Sequence, residues 1–491
     1  MPREMDNLKT NILYYGDNLR ILREHIPSNS IDLIYLDPPF NSKRDYNVIF
    51  NEEGNQESEA QIEAFTDTWK WGKEAEKTYH DIIANAPLNV AQAIDAFIKF
   101  LGHNDATAYL VMMTPRLIEL QRVLAPQGSI YLHCDPTASH YLKVVMDQIF
   151  GKENFRNEII WHYRKWPSGY KQFQRNHDVL FFYSKTDNEK RTFNIEYMER
   201  AESTLKRFGK SKIISGYDAA GRRLPSKVEE EESAGVPQDD VWNIGRVPPI
   251  KQLFPTQKPE KLLERIIKCS SGKGDVVLDP FCGCGTAVVE AQRLNRKWIG
   301  IDITHLAIGL VKKRLKDMFP RIAYDVVGEP EDLSGAKELA RNSKFQFQWW
   351  AVDLAGGRPA RGKKAGADEG IDGIIPFLEG KEDLKRVIIS VKGGHVTVSQ
   401  IRDLIGVVER ERAAMGVFIT LEKPTDPMLK EAAVAGYYFS ESWKKDFPKI
   451  QILTIENLLS GKRVEMPPQV EPYKDSQLAK EEAGNQELLD L

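Results

Sequence analysis

The chain has 491 residues, of which 41% are hydrophobic and 28% charged, and its formal net charge is −3. That length exceeds one ordinary hydrophobic core and predicts two or three folded units, and the balance is that of a globular rather than a disordered chain. No apolar stretch is long enough for a membrane span, and the start, MPREMDNLKT, lacks the apolar centre of a secretory signal, so a cytoplasmic protein with no membrane partner is expected.

The four cysteines, Cys134, Cys269, Cys282 and Cys284, offer one close pair and no second pair to complete a zinc site. The near-neutral charge means that any nucleic-acid surface must be a local basic patch.

Taken in chain order, five apolar runs each finish in an aspartate: ILYYGD at Asp17, IDLIYLD at Asp37, SIYLHCD at Asp135, VVLD at Asp279 and KWIGID at Asp302. Runs of this kind predict strands buried on both faces of a parallel sheet. Helical patterns follow most of them (NLRILREHI, ASHYLKVVMDQIF, TAVVEAQRL, HLAIGLVKKRLK), giving the alternation of a doubly wound α/β fold. Ligands in such folds bind beyond the carboxyl ends of the strands, where these aspartates lie. After Pro320 the pattern restarts with one helix (ELARNSKFQFQWWAVDL), a Gly/Lys-rich turn and new strands (VIISV, GVFIT), which predicts a separate, smaller α/β domain. The polar tail over 467–491 reads as flexible.

Asp37-Pro38-Pro39-Phe40 stands at the end of a predicted buried strand. The amino group on a base is a weak nucleophile because its lone pair is delocalised into the ring. A carboxylate and a backbone carbonyl held rigidly at a strand end can accept its N–H groups as charge develops. The prolines stiffen the backbone and remove competing donors, and Phe40 can stack on a base rotated out of a duplex. A strand end running into an ordinary turn would also carry Asp and Pro.

The second block is Leu278-Asp279-Pro280-Phe281-Cys282-Gly283-Cys284-Gly285-Thr286, a strand entering a glycine turn and then a helix. Its glycines allow a ligand close to the backbone at the helix start. Val288 stands where the dinucleotide fingerprint needs a third glycine. Asp302 ends the next strand, where it can hold ribose hydroxyls.

Together these blocks resemble the DNA amino-methyltransferases, in the permuted, beta-class, type III-like order that places DPPF before FxGxG. Gly16-Asp17-Asn18-Leu19, NSKRDYNVIF and PTQKPEKLLERII agree with it too. The resemblance implies a Rossmann-like methyltransferase domain over 8–325, with a catalytic block at 12–185, a target-recognition insertion near 160–250 and a cofactor block at 254–320. It implies S-adenosyl-L-methionine as cofactor. Phe281, Gly283 and Gly285 would line its methionine and backbone side, Asp279 and Thr286 would also bind it, Asp302 would hold its ribose, Asp17 would lie near its adenine, and Thr256, Gln257 and Lys258 would close over it. Cys284 stands where the family often has serine. The DPP form resembles the adenine N6 branch more than the cytosine N4 branch. Methylation at cytosine C5 is disfavoured, because none of the four cysteines follows a proline as that class requires. The expected partner is duplex DNA with the target base flipped out, which places the enzyme at the nucleoid. A homodimer and a separate restriction subunit are further expectations.

Within WHYRKWPSGYKQFQRNH, the cations Arg164, Lys165, Lys171 and Arg175 alternate with Trp166, Tyr170 and Phe173. Charges for phosphates interleaved with flat rings for bases suit DNA contact, although a solvated charged face has similar composition. A second basic stretch comprises Lys206, Arg207, Lys210, Lys212, Arg222, Arg223 and Lys227.

Over 333–460, Asp372 in GADEGIDGII and Lys392 in VIISVKGG resemble the D…(E/Q)xK arrangement of Mrr-type restriction-endonuclease folds. Ser390 occupies the E/Q position, so Asp353, Asp368 or Glu369 would have to supply the missing oxygen if Mg²⁺ binds at Asp372. Cleavage and DNA binding without cleavage both stay open. The leading expectation is an adenine N6 DNA methyltransferase of a restriction–modification or marking system. The alternatives are a cytosine N4 enzyme, a DNA-cleaving enzyme whose methyltransferase half reads DNA, a dinucleotide oxidoreductase, and action on RNA or protein.

Overall fold

A computed structural model describes residues 8–39, 71–165, 171, 173–187, 191–200, 202–217, 222–248, 252, 257–360, 370–379 and 383–467. By contact these fall into two compact units, one built from 8–39, the described part of 71–302, and 318–325, the other from 303–317 and 326 onward. No helix among the described residues is long and apolar enough to cross a membrane.

The first unit is organised by a sheet whose order is Val241–Asn243, Phe155–His162, His177–Ser184, Leu124–Cys134, Ile31–Leu36, Val276–Asp279, Lys297–Asp302, Ile12–Tyr15 and an edge strand starting at Asp325. All five aspartate-terminated runs are strands, and they lie side by side and parallel. Ile31–Leu36 is buried along its whole length, and each Leu or Ile so enclosed contributes about 1.5–3 kcal/mol. One helical group has Asp105–Val123 packed against Asn18–His25, Lys73–Asn85, Leu88–Leu101 and Ser139–Phe150, and a second pairs Glu260–Ser270 with Thr286–Arg293.

One departure from an all-parallel sheet bears on function. His177–Ser184 runs antiparallel between Leu124–Cys134 and Phe155–His162, so part of the expected insertion is a core strand. Val179 to Ser184 are all buried, and a strand enclosed on both faces needs hydrogen-bonding neighbours on both edges. Its start lies at the carboxyl ends of the parallel strands, because its direction is opposite to theirs.

The chain order also creates a switch point. From Ile31–Leu36 the sheet proceeds to Leu124–Cys134 on one side, and from the adjacent Val276–Asp279 it proceeds to Lys297–Asp302 on the other. Doubly wound sheets bind ligands in the crevice that such a reversal opens.

The second unit carries a sheet ordered Arg358–Pro359, Gly373–Glu379, Asp383–Lys392, Met415–Thr420 and Ile450–Thr454. Its first three strands are antiparallel neighbours and its last three are parallel. The single helix expected over 338–354 is two helices, Leu333–Asn342 and Lys344–Leu354. Ser343 divides them: its backbone is extended at φ −154°, and its side chain accepts the Gln346 N–H as an N-cap. The helix His305–Met318, expected to belong to the methyltransferase sheet, groups by contact over Ile303–Asp317 with this second unit.

Candidate active site

Register brings the aspartates together. Tyr15 is the partner of Asp302, Asp279 of Gly300, and Leu278 of Ile34, so Asp17, Asp302, Asp279 and Asp37 cluster at neighbouring strand ends. The Gly16 N–H donates to the Asp302 carbonyl at 2.9 Å and fixes the first of these turns.

Asp37 follows its strand directly, with Pro38 buried and Pro39 half-buried. Its Oδ2 is ion-paired with Lys258 Nζ. Its Oδ1 is buried and accepts no hydrogen bond among the described residues, with His133 Nδ1 3.6 Å away. Lys258, expected to close over a cofactor, is thus found on the candidate catalytic carboxylate. Gln257 is half-buried beside it in sequence, while Phe40 and Thr256 lie outside the described residues.

The glycine turn has the geometry its composition predicts. Gly283 and Gly285 have φ of +49° and +73°, the left-handed region that an L side chain enters at a cost. Gly283 N–H donates to Asp302 Oδ2 at 2.9 Å, and Phe281 N–H donates to Asp279 Oδ1 at 3.1 Å. Thr286 begins the helix and is buried. Burial pushes the Asp279 carboxyl well above the usual range, and the charges of Asp37 and Asp302 push the same way against the Phe281 N–H. Burial likewise raises the Cys282 thiol, which keeps it protonated and unreactive.

Asp17 caps the helix Asn18–His25 by accepting the Arg20 N–H at 3.1 Å. Asn18 donates through Nδ2 to the Pro280 carbonyl at 2.8 Å, tying the first strand's turn to the glycine block 262 residues away. Arg116 holds both, donating to Asp17 Oδ2 at 2.6 Å and to Asn18 Oδ1 at 2.7 Å.

Several members of the site escaped the sequence reading. Tyr35 and His133 share a hydrogen bond at 3.2 Å between the hydroxyl and Nδ1, His133 Nε2 lies 3.4 Å from Asp178 Oδ2, and Tyr163 donates to Asp178 Oδ1 at 3.0 Å. Polar letters inside SIYLHCD and NHDVLFF, both otherwise apolar, were the available signal.

Of the basic aromatic segment, Arg164, Lys171 and Arg175 are exposed, and Phe173 is 99% exposed. Lys165 instead turns back, donating to the Arg175 carbonyl at 3.1 Å and lying 4.9 Å from the Tyr163 ring centre. Trp166 and Tyr170 lie outside the described residues. In the second basic stretch, Lys206 and Arg207 end a short helix, Lys212 and Lys227 lie on the paired strands Ser211–Tyr217 and Arg223–Glu232, and Arg222 is exposed.

In the second unit, Asp372 is buried and its Oδ2 accepts the Val391 N–H at 2.7 Å. Ser390 is buried, and Lys392 is half-buried at the end of the same strand. Asp353 is committed elsewhere: Lys312 Nζ donates to it at 2.6 Å and also reaches Glu329 at 3.0 Å, with His305 3.5 Å from Glu329. Asp368 and Glu369 lie outside the described residues. Among the described residues no cluster of three His, Cys, Asp or Glu side chains is arranged to hold a metal.

Both parts of the chain are similar to known proteins. Residues 346–460 match the family model described as NACHT-associated inactive Restriction Endonuclease 1. The type II methyltransferase M.HpaI of Haemophilus parainfluenzae is 30% identical over 263 residues, covering 52% of this chain and 74% of that protein. M.BamHI of Bacillus amyloliquefaciens is 28% identical, covering 62% and 57%, and the DNA adenine methyltransferase YhdJ of Escherichia coli (strain K12) is 27% identical, covering 64% and 85%. Among solved structures, the PvuII DNA methyltransferase (cytosine-N4-specific) is similar over 65% of this chain and 95% of its own, at 15% identity and a TM-score of 0.34. The N6/N4 DNA methylase family model matches residues 31–313, more than half of the chain, and the protein therefore belongs to that family of S-adenosylmethionine-dependent DNA methyltransferases.

Proposed function

We propose that the protein transfers a methyl group to the N6 amino group of adenine in DNA, and that it is a permuted, beta-class member of the family. The observation that carries the reading is the state of Asp37: one carboxylate oxygen is paired with Lys258, and the other is buried with no hydrogen-bond donor among the described residues. A buried acceptor with no donor is costly by about 1–3 kcal/mol, and an entering amino group relieves that cost by supplying an N–H. Asp37 and the Pro38 carbonyl would accept the two amino hydrogens, so that the nitrogen lone pair is released from the ring as the new N–C bond forms. The displaced proton leaves toward the carboxylate.

S-adenosylmethionine, when bound, would supply an electrophilic methyl group whose bond to sulfur breaks as the N–C bond forms, its electron pair staying on sulfur as a neutral thioether. The donor set fits it: the strand-end carboxylates Asp302 and Asp17 would accept from its ribose and adenine polar groups, and the left-handed Gly283 and Gly285 would let the backbone approach it closely. Gln257, Lys258, Asp279, Phe281 and Thr286 complete the proposed cofactor surface. Adenine is favoured over cytosine by the DPP form of the block and by the likeness to YhdJ, an adenine enzyme by name. The exposed Arg164, Lys171, Phe173 and Arg175 would meet the duplex, with Trp166 and Tyr170 from the same segment. Incubation with labelled methyl donor and duplex DNA, followed by identification of the product nucleoside, tests this. N6-methyladenine formed by the wild type and absent with Asp37→Ala supports it, and N4-methylcytosine alone overturns the choice of base.

A second reading concerns 333–460, where we infer DNA contact without cleavage. Asp372 already serves a backbone N–H, Asp353 is bound to Lys312, and the buried Ser390 hydroxyl is a poor substitute for a metal-binding carboxylate.

A further inference from the structure

We infer that His133, held from behind by Asp178, is a positioning residue that fixes the orientation of the Asp37 carboxylate. The inference rests on the reading of Asp37 as the group that meets the target amine.

The argument begins with register. Leu36 is the partner of Leu132 on the neighbouring parallel strand, so the next residues along, Asp37 and His133, are side by side. His133 is in turn the partner of Leu180 on the antiparallel strand that begins with His177 and Asp178. Three adjacent strands therefore place Asp37, His133 and Asp178 in one row across the carboxyl end of the sheet.

His133 is 0% exposed, in a strand whose other residues near it are apolar. An imidazole at such depth costs several kcal/mol, about 2–7 for an unpaired polar group, unless both nitrogens are served. Both nitrogens face polar partners, and these lead toward the site. Nε2 lies 3.4 Å from Asp178 Oδ2, and Nδ1 lies 3.2 Å from the Tyr35 hydroxyl and 3.6 Å from Asp37 Oδ1. The Trp161 ring stands edge-on to the imidazole, with centres 5.5 Å apart.

Asp178 is equipped to stay charged in this position. Burial opposes its ionisation, but the hydrogen bond and charge of His133, the charge of Lys258 and the Tyr163 hydroxyl together hold its carboxyl down at about 2. The Asp178 carboxylate can only accept, so it holds the Nε2 edge of the ring, and the Nδ1 edge is thereby kept facing the Tyr35 hydroxyl and the Asp37 carboxylate. A histidine oriented by a carboxylate behind it is a general device for presenting one ring nitrogen in a fixed place. At 3.6 Å the Nδ1 to Oδ1 separation is too long for a hydrogen bond, so Oδ1 keeps a lone pair for the substrate N–H.

The test uses the full chain and four variants: His133→Phe, which fills the volume without a donor; His133→Asn, which keeps an amide near the Nδ1 position; Asp178→Asn; and the double variant H133F/D178N. The expected result for His133→Phe is a fall in kcat of about 30-fold, with KM for DNA and for S-adenosylmethionine within about threefold of wild type. His133→Asn should recover about tenfold of that loss, and the double variant should be no more than about threefold below His133→Phe, because both changes cut one chain of contacts. An active wild type with kcat of His133→Phe within threefold, or independent losses that multiply in the double variant, would overturn the positioning role alone. Equal collapse of His133→Asn and His133→Phe in melting temperature and cofactor binding would make His133 a core residue and overturn it too. Absence of transfer by the wild type would instead overturn the reading of Asp37 on which this one stands.

Discussion

Arg116 donates through Nη2 to Asp17 Oδ2 at 2.6 Å, binding the central helix of one layer to the turn after the first strand. The arginine side chain is only 15% exposed while Asp17 is 43% exposed, so the pair is screened on one side. Arg116→Ala should lower stability by about 1–2 kcal/mol and weaken S-adenosylmethionine binding about tenfold, because Asp17 and Asn18 lose their common anchor. Urea denaturation and calorimetry read the two effects separately. Unchanged cofactor affinity would remove Asp17 from the proposed binding surface.

At the catalytic block, Asp37→Asn keeps size and one acceptor but loses the charge that Lys258 balances. Methyl transfer should fall by at least about 100-fold, the scale of losing one preorganised group at a developing charge. Cofactor binding should survive. Retention of activity within tenfold would show that another group accepts the amino hydrogens.

The glycine turn is expected to tolerate no side chain. Gly283→Ala and Gly285→Ala each place an L residue at positive φ and should cost about 1–2 kcal/mol. Gly283→Ala should also weaken cofactor binding, since its N–H holds Asp302 at 2.9 Å. A melt and a titration of both variants check this.

Asp178 predicts an acid transition. Its carboxyl is held at about 2 in the fold against an ordinary value of 3.8, so its contribution is complete above pH 4 and is lost as pH falls toward 2. The amount is about 2 kcal/mol at 1.36 kcal/mol per unit. Asp279 has the opposite sign: its raised carboxyl favours the fold most at low pH, and that contribution fades as pH rises above its unfolded value. Stability measured from pH 2 to 5 should show the Asp178 slope, and Asp178→Asn should flatten it.

For the second unit, Mg²⁺ should leave supercoiled plasmid intact, because Asp372 Oδ2 already accepts the Val391 N–H and Asp353 is paired with Lys312. Asp372→Ala should instead unfold more easily by about 1–3 kcal/mol, since the buried Val391 N–H loses its acceptor. Plasmid nicking that disappears with Lys392→Ala would reverse the non-cleaving reading.

Much of the first unit was written in local pattern. Runs such as IDLIYLD and KWIGID are apolar without alternation because both faces of each strand are covered, and that property needs no knowledge of the partner strands. The glycines of the second block announced their turn because only positive φ, or a close approach, requires glycine there. Asp17, Asp37, Asp279 and Asp302 could therefore be named from the sequence as strand-end groups. Tertiary structure decided which groups face them. Register, set by pairings between distant segments, puts His133 beside Asp37 and Arg116 beside Asp17. An antiparallel strand brings Asp178 to the same edge, and Lys258 reaches Asp37 across 221 residues. A one-residue slip in any of those strands would turn these side chains to the other face, and no local propensity encodes that choice. The break at Ser343 and the commitment of Asp353 to Lys312 have the same origin: a cap and an ion pair are chosen by what packs nearby, which the chain settles only on folding.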